Sequence, residues 1–219
     1  MYTKHEVIDY IWQYSKFYGN KLGDCEQYFY DGDGYVALIL MFEVAENICK
    51  SIVGDYESSF FTVVDKLYKK HYITGVERDF LSTKSSSVRK IRNYFAHANL
   101  MSINVVVEEN GKDIYYPLSE NESCLLVYQL ISSLLFNVLL DIVKGDLLLK
   151  SSSELDGLLQ KYNIKIVELT AEETMKLQGL KETDITKMKD LIDENTMIRL
   201  ADNGSNVDVL SEIFKGLIT

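Results

Sequence analysis

The chain has 219 residues, of which 47% are hydrophobic and only one, Pro117, is proline; its formal net charge is -10. That composition suits one large domain, or one domain with an appendage, around a real core, and it excludes an intrinsically disordered chain. The acidic balance excludes a protein that coats nucleic acid regardless of sequence, and Cys25, Cys49 and Cys124, scattered and unpaired in spacing, give no disulfide or zinc pattern and suit a reducing cytoplasm.

The N-terminus enters an aromatic, charged helix directly, without a signal peptide. Residues 5–22 read as one helix containing Ile8, Ile11, Trp12 and Tyr18, and Asp31-Gly32-Asp33-Gly34 breaks the chain. From Tyr35 to Val53 the spacing predicts a second helix, with Leu38, Phe42, Ala45 and Cys49 on one face and Glu43, Glu46 and Lys50 beside it. Residues 58–72 form a third, and 74–85 are looser. Ser85, Ser86 or Ser87 caps a fourth helix. Ile103–Val107 and Ile114–Tyr116, alternating β-formers around Asn110-Gly111, signal a hairpin.

Residues 121–148 form the fifth helix. Its run from Leu125 to Val143 is the most apolar in the chain, yet Gln129, Ser133, Asn137 and Asp141 recur at every fourth position. One polar stripe on an apolar rod indicates a buried bundle helix rather than a membrane span. Ser151-Ser152-Ser153 marks a plausible boundary. Beyond it, Ile164–Val167 reads as a strand, and Thr170 with Glu173 forms a capping box that starts a short helix. Further helices are expected over 183–194 and 206–218, separated by Asp202-Asn203-Gly204-Ser205. The expected organisation is thus a mainly α chain: a helical bundle with a β-hairpin insert over 1–150, and a small α/β appendage over 151–219.

The chemistry concentrates in the fourth helix. Residues 66–92 carry Lys66, Lys69, Lys70, Arg78, Lys84, Arg89, Lys90 and Arg92 against only Glu77 and Asp79, a basic patch on an acidic body. The patch ends on Arg92-Asn93-Tyr94-Phe95-Ala96-His97. Histidine titrates near neutral pH, and the arginine guanidinium binds phosphate bidentately. These are groups that metal-free cleavage of a phosphodiester needs. Lys84, Arg89 and Lys90 are candidates for binding the substrate backbone. Glu46 is placed either to order Arg92 across the bundle or to sit in solvent. His5 reads as a surface residue and His71 as a solvated helix end.

The segment from Arg92 to His97 resembles the signature of HEPN domains: arginine, usually a polar residue, a short spacer, then histidine. The long helix carrying Glu43 and Glu46, a third helix and then the motif helix agree with that resemblance over roughly residues 1–148. It implies an all-helical homodimer with motif helices facing one another, and in many members a metal-independent endoribonuclease of toxin–antitoxin, phage-defence or CRISPR settings. By that resemblance Arg92, Asn93 and His97 are the catalytic residues, RNA is the substrate, no cofactor is needed and an antitoxin is a further partner. Ala98 departs from a common glycine. Asn99 stands where members modified by a partner nucleotidyltransferase carry tyrosine, so that mode of control is not expected.

The stretch Leu169-Thr170-Ala171-Glu172-Glu173-Thr174-Met175-Lys176-Leu177-Gln178-Gly179-Leu180 is similar to the late conserved block of DNA cytosine methyltransferases, and Asn203–Val209 to that family's final block. Val167 replaces the family's arginine, and the proline-cysteine nucleophile and glycine-rich cofactor loop are absent from the chain. The similarity therefore implies a structural or docking appendage, with a separate DNA methyltransferase as the partner in the alternative reading: a non-catalytic HEPN-type dimerisation protein whose tail docks on, or completes, such an enzyme.

Overall fold

The computed structural model describes residues 1–97, 99–109, 112–147, 153–162, 164–190, 192–194 and 196–197. Ten α-helices and three strands lie among the described residues: α1 Lys4–Tyr14, α2 Lys16–Tyr30, α3 Gly34–Val53, α4 Phe60–Lys69, α5 Gly75–Arg78, α6 Val88–His97, β1 Ile103–Glu109, β2 Lys112–Pro117, α7 Asn121–Asp146, α8 Ser153–Lys161, β3 Lys165–Glu168, α9 Ala171–Leu177 and α10 Glu182–Lys189. The chain divides into two compact units, Met1–His97 with Glu120–Lys165, and Ala98–Ser119 with Ile166–Thr219. The hairpin thus groups with the C-terminal segment, and α8 with the helices, where the sequence suggested a single cut near residue 150.

The first unit is a bundle organised on α3. That helix packs against α2, α4, α6 and α7, and α1 packs against α2 and α7. Its apolar period explains the role: Ala37, Leu38, Met41, Ala45, Ile48 and Cys49 are fully buried. Asp33 caps it by accepting from the Val36 N–H at 3.2 Å, and Gly54, at φ 71°, ends it in the left-handed region that glycine enters without cost. Asn121 joins the starts of α3 and α7. Its side-chain oxygen accepts from the Gly34 N–H at 2.8 Å and its amide donates to the Gly32 carbonyl at 2.7 Å.

Several expectations are corrected. The helix read over 5–22 is two helices. Ser15 is extended (φ -150°, ψ 112°), donates its N–H to the Ile11 carbonyl, and caps α2. The bend lets Gly19 pack on Trp12; a Cβ at Gly19 would lie 2.5 Å from the Trp12 Cα. The stretch thought loose over 74–85 is helical: Thr74 and Glu77 form a capping box that opens α5, which runs into a π-helical turn over Asp79–Thr83.

α7 is the one described helix long and apolar enough to cross a membrane, and 67% of its most apolar window is buried inside the protein. Within its polar stripe, Asn137 bonds the backbone just ahead of α1: its amide donates to the Tyr2 carbonyl at 2.9 Å and its oxygen accepts from the Tyr2 N–H at 2.9 Å. α7 is therefore a core helix, as its sequence pattern suggested.

In the second unit, β1 and β2 pair antiparallel from Asn104↔Pro117 to Glu109↔Lys112, and β3 joins to give the order β2-β1-β3. Ala171, Met175, Ile185, Met188 and Met197 form a small core with Leu180 and Ile192 against it. The hairpin turn at Asn110-Gly111 and the expected final helix over 206–218 lie outside the described residues.

Candidate functional site

α6 forms because Ser87 caps it and an apolar stripe seats it. The Ser87 hydroxyl accepts from the Lys90 N–H at 3.4 Å. Val88 and Ile91 are buried, and Phe95 packs on Tyr35 and Phe42 of α3 with ring centroids 5.6 and 6.0 Å away. With about 100° per residue, Arg92 then flanks the packed face, whereas Asn93 and His97, one turn apart, lie on the opposite side. Arg92 and His97 are about 140° apart around the helix. Asn93 is half-buried and His97 is exposed.

Arg92 is held in place. Its Nη2 lies 2.8 Å from Glu46 Oε2, and its Nη1 donates to Asn93 Oδ1 at 3.4 Å. The other Glu46 oxygen, Oε1, is 2.8 Å from Lys50 Nζ. One carboxylate thus orients two cations, Arg92 and Lys50. The Glu46 side chain is only 13% exposed, while that of Arg92 is 39% exposed. A guanidinium anchored on one edge and open on another is suited to an anionic ligand. Glu46 was legible as a neighbour of the core face; its contact with Arg92 resolves the choice between ordering the arginine and sitting in solvent.

The basic run is less free than its composition suggests. Lys66 pairs with Asp55, and Arg78 with Asp65 at 2.6 Å. Arg89 donates through Nε to the Ser82 carbonyl and hydroxyl at 3.1 and 3.2 Å and lies over the Phe61 ring, so it braces the π-helical turn. Lys84 donates to the Leu159 carbonyl of α8 at 3.5 Å. Of the three candidates for backbone binding, Lys90 alone is exposed; its ammonium sits over Tyr94. His5 is exposed, 3.6 Å from Asp9. His71 adopts φ 60° just past the end of α4 and is exposed.

Beside Arg92 a groove of about 370 Å³ is lined by Ile39, Phe42, Glu43, Glu46, Asn47, Arg92, Phe95 and Ala96. Sequence reasoning treated Phe95 as a spacer and did not single out Asn47; only the packing of α6 on α3 brings them to the arginine. Among the described residues no group of three or more His, Cys, Asp or Glu side chains is placed to hold a metal ion. The three cysteines are buried and form no disulfide, and burial pushes the Cys25 and Cys124 thiols up to about 12, so neither is a thiolate at neutral pH.

The segment from Leu169 to Leu180 is held by local contacts. Thr170 and Glu173 make the capping box of α9, and Lys176 pairs with Glu172 at 2.7 Å and Glu182 at 3.2 Å. Gly179 (φ 87°) ends the helix, with its N–H donating to Lys176 and the Leu180 N–H to Met175. No protein-family model, no curated protein and no solved structure matches this chain.

Proposed function

We propose that the chain is a HEPN-type endoribonuclease of a bacterial defence or toxin–antitoxin module, acting as a homodimer on RNA without a metal ion. The observation that carries this reading is the division of labour on α6: Glu46 and Asn93 hold Arg92 in one pose, while the same helix carries His97 into solvent. A two-fold packing of α6 against its copy would bring two such pairs to one cleft, which one helix cannot do with its arginine and histidine about 140° apart. In that cleft Arg92 binds the phosphate and stabilises its rising charge. One His97 takes the proton of the ribose 2′-hydroxyl as its oxygen bonds to phosphorus, and the other protonates the 5′-oxygen as its bond to phosphorus breaks. The products are a 2′,3′-cyclic phosphate and a 5′-hydroxyl. Asn93 positions Arg92.

The test is to express the chain and its His97→Ala variant in a heterologous bacterium and map cellular RNA ends that carry cyclic phosphate. New ends with the wild type and none with the variant support the reading. Identical end profiles from both chains count against it and favour the non-catalytic binding protein.

A further inference from the structure

The groove beside Arg92 has a composition that the phosphate chemistry does not explain. Its floor is apolar and aromatic, from Ile39, Phe42 and Phe95. Its rim carries two polar side chains without partners among the described residues. The Glu43 carboxylate is exposed and makes no ion pair or hydrogen bond, and the Asn47 side-chain amide makes none either; only the Asn47 backbone carbonyl is engaged, by the Tyr18 hydroxyl at 3.4 Å. At about 370 Å³ the groove falls in the range of roughly 300–1,000 Å³ usual for small-ligand sites. Two open acceptors on a carboxylate, a ring-lined floor and an adjacent arginine together describe a nucleotide.

We propose that this groove recognises a guanine base attached to the phosphate held by Arg92. This rests on the reading of Arg92 as the phosphate ligand. Single-stranded RNA is read by laying unstacked bases on aromatic side chains and bonding their Watson–Crick edges. Guanine alone among the RNA bases presents two adjacent donors on that edge, the ring N–H and the exocyclic amino group, which match the two oxygens of a carboxylate. Adenine and cytosine set one amino group beside an acceptor nitrogen, and uracil sets one N–H between two carbonyls; each turns an acceptor toward Glu43. Asn47 supplies the amide donor for the guanine carbonyl, and Phe95 and Ile39 contact the ring faces.

Calorimetric titration with guanosine, adenosine, cytidine and uridine 3′-monophosphates tests this without requiring cleavage. The guanosine nucleotide should bind about ten-fold more tightly than the others, the size of a good bidentate contact. Glu43→Gln, at an exposed position, should keep the fold and abolish the preference. Arg92→Ala should weaken all four nucleotides and leave the guanine preference in place. Equal binding of the four, or a preference that survives Glu43→Gln, overturns the proposal. A guanine preference in a protein that never cuts RNA would refute the nuclease reading and leave this site standing, so the two failures are distinguishable.

Discussion

Replacing the partners of the Glu46–Arg92 pair, singly and together, measures how firmly the arginine is held. The charged atoms are 2.8 Å apart, with Glu46 13% and Arg92 39% exposed. A solvent-exposed pair contributes about 0–1 kcal/mol, and breaking a fully buried one costs about 3–5 kcal/mol. This pair lies between those limits. Its gross attraction at 2.8 Å and an effective dielectric near 20 is about 6 kcal/mol, and the desolvation of Glu46 offsets much of it. A coupling of about 1–2 kcal/mol is expected from a cycle of Glu46→Gln, Arg92→Gln and the double variant, with Lys50 present throughout. Urea unfolding supplies the free energies, provided the slope against denaturant is unchanged across the set. A coupling below about 0.5 kcal/mol, the scatter expected for independent sites, would mean that Glu46 does not fix the arginine.

Two further outcomes follow from the bundle. Gly19→Ala places a Cβ 2.5 Å from the Trp12 Cα, where helix backbone rather than a flexible side-chain tip must yield; a loss of about 1–3 kcal/mol in urea unfolding is expected, and an unchanged midpoint would contradict the close approach of α1 to α2. Glu77 is 1% exposed, and burial, reinforced by Asp141 and Asp156, raises its carboxyl from 4.5 to about 7 against the opposing Thr74 backbone bond. The native state therefore keeps this proton to higher pH than the unfolded chain does, so its contribution to stability falls as pH rises from about 4.5 to about 7. Glu77→Gln cannot ionise and should gain on the wild type across that window, by on the order of 3 kcal/mol at most. A difference between the two proteins that is flat from pH 4 to pH 8 would refute this.

The elements that could be read from sequence are those whose signal is local. The apolar period of α3, the serine cap of α6, the alternation of β1 and β2, and the Thr170–Glu173 box of α9 all appear where their residues predicted. The break at Ser15 was hidden because no glycine or proline marks it; it depends on Gly19 meeting Trp12 across the bend. α5 carries the same capping signature as α9, in Thr74 and Glu77, but its single turn is too short to show an apolar period.

At the site, residue types on α6 were legible, but their engagements were not. Arg89 and Lys84 bond the carbonyls of Ser82 and Leu159, and a backbone acceptor from another element has no signature in sequence. Glu43 and Asn47 reach the arginine's groove only through the packing of α6 on α3.

Incubating purified protein with RNA in EDTA, wild type beside His97→Ala, and identifying the product ends, tests the central claim most directly. The account predicts 2′,3′-cyclic phosphate and 5′-hydroxyl ends from the wild type and their loss in the variant. Cleavage that is undiminished by His97→Ala would contradict it.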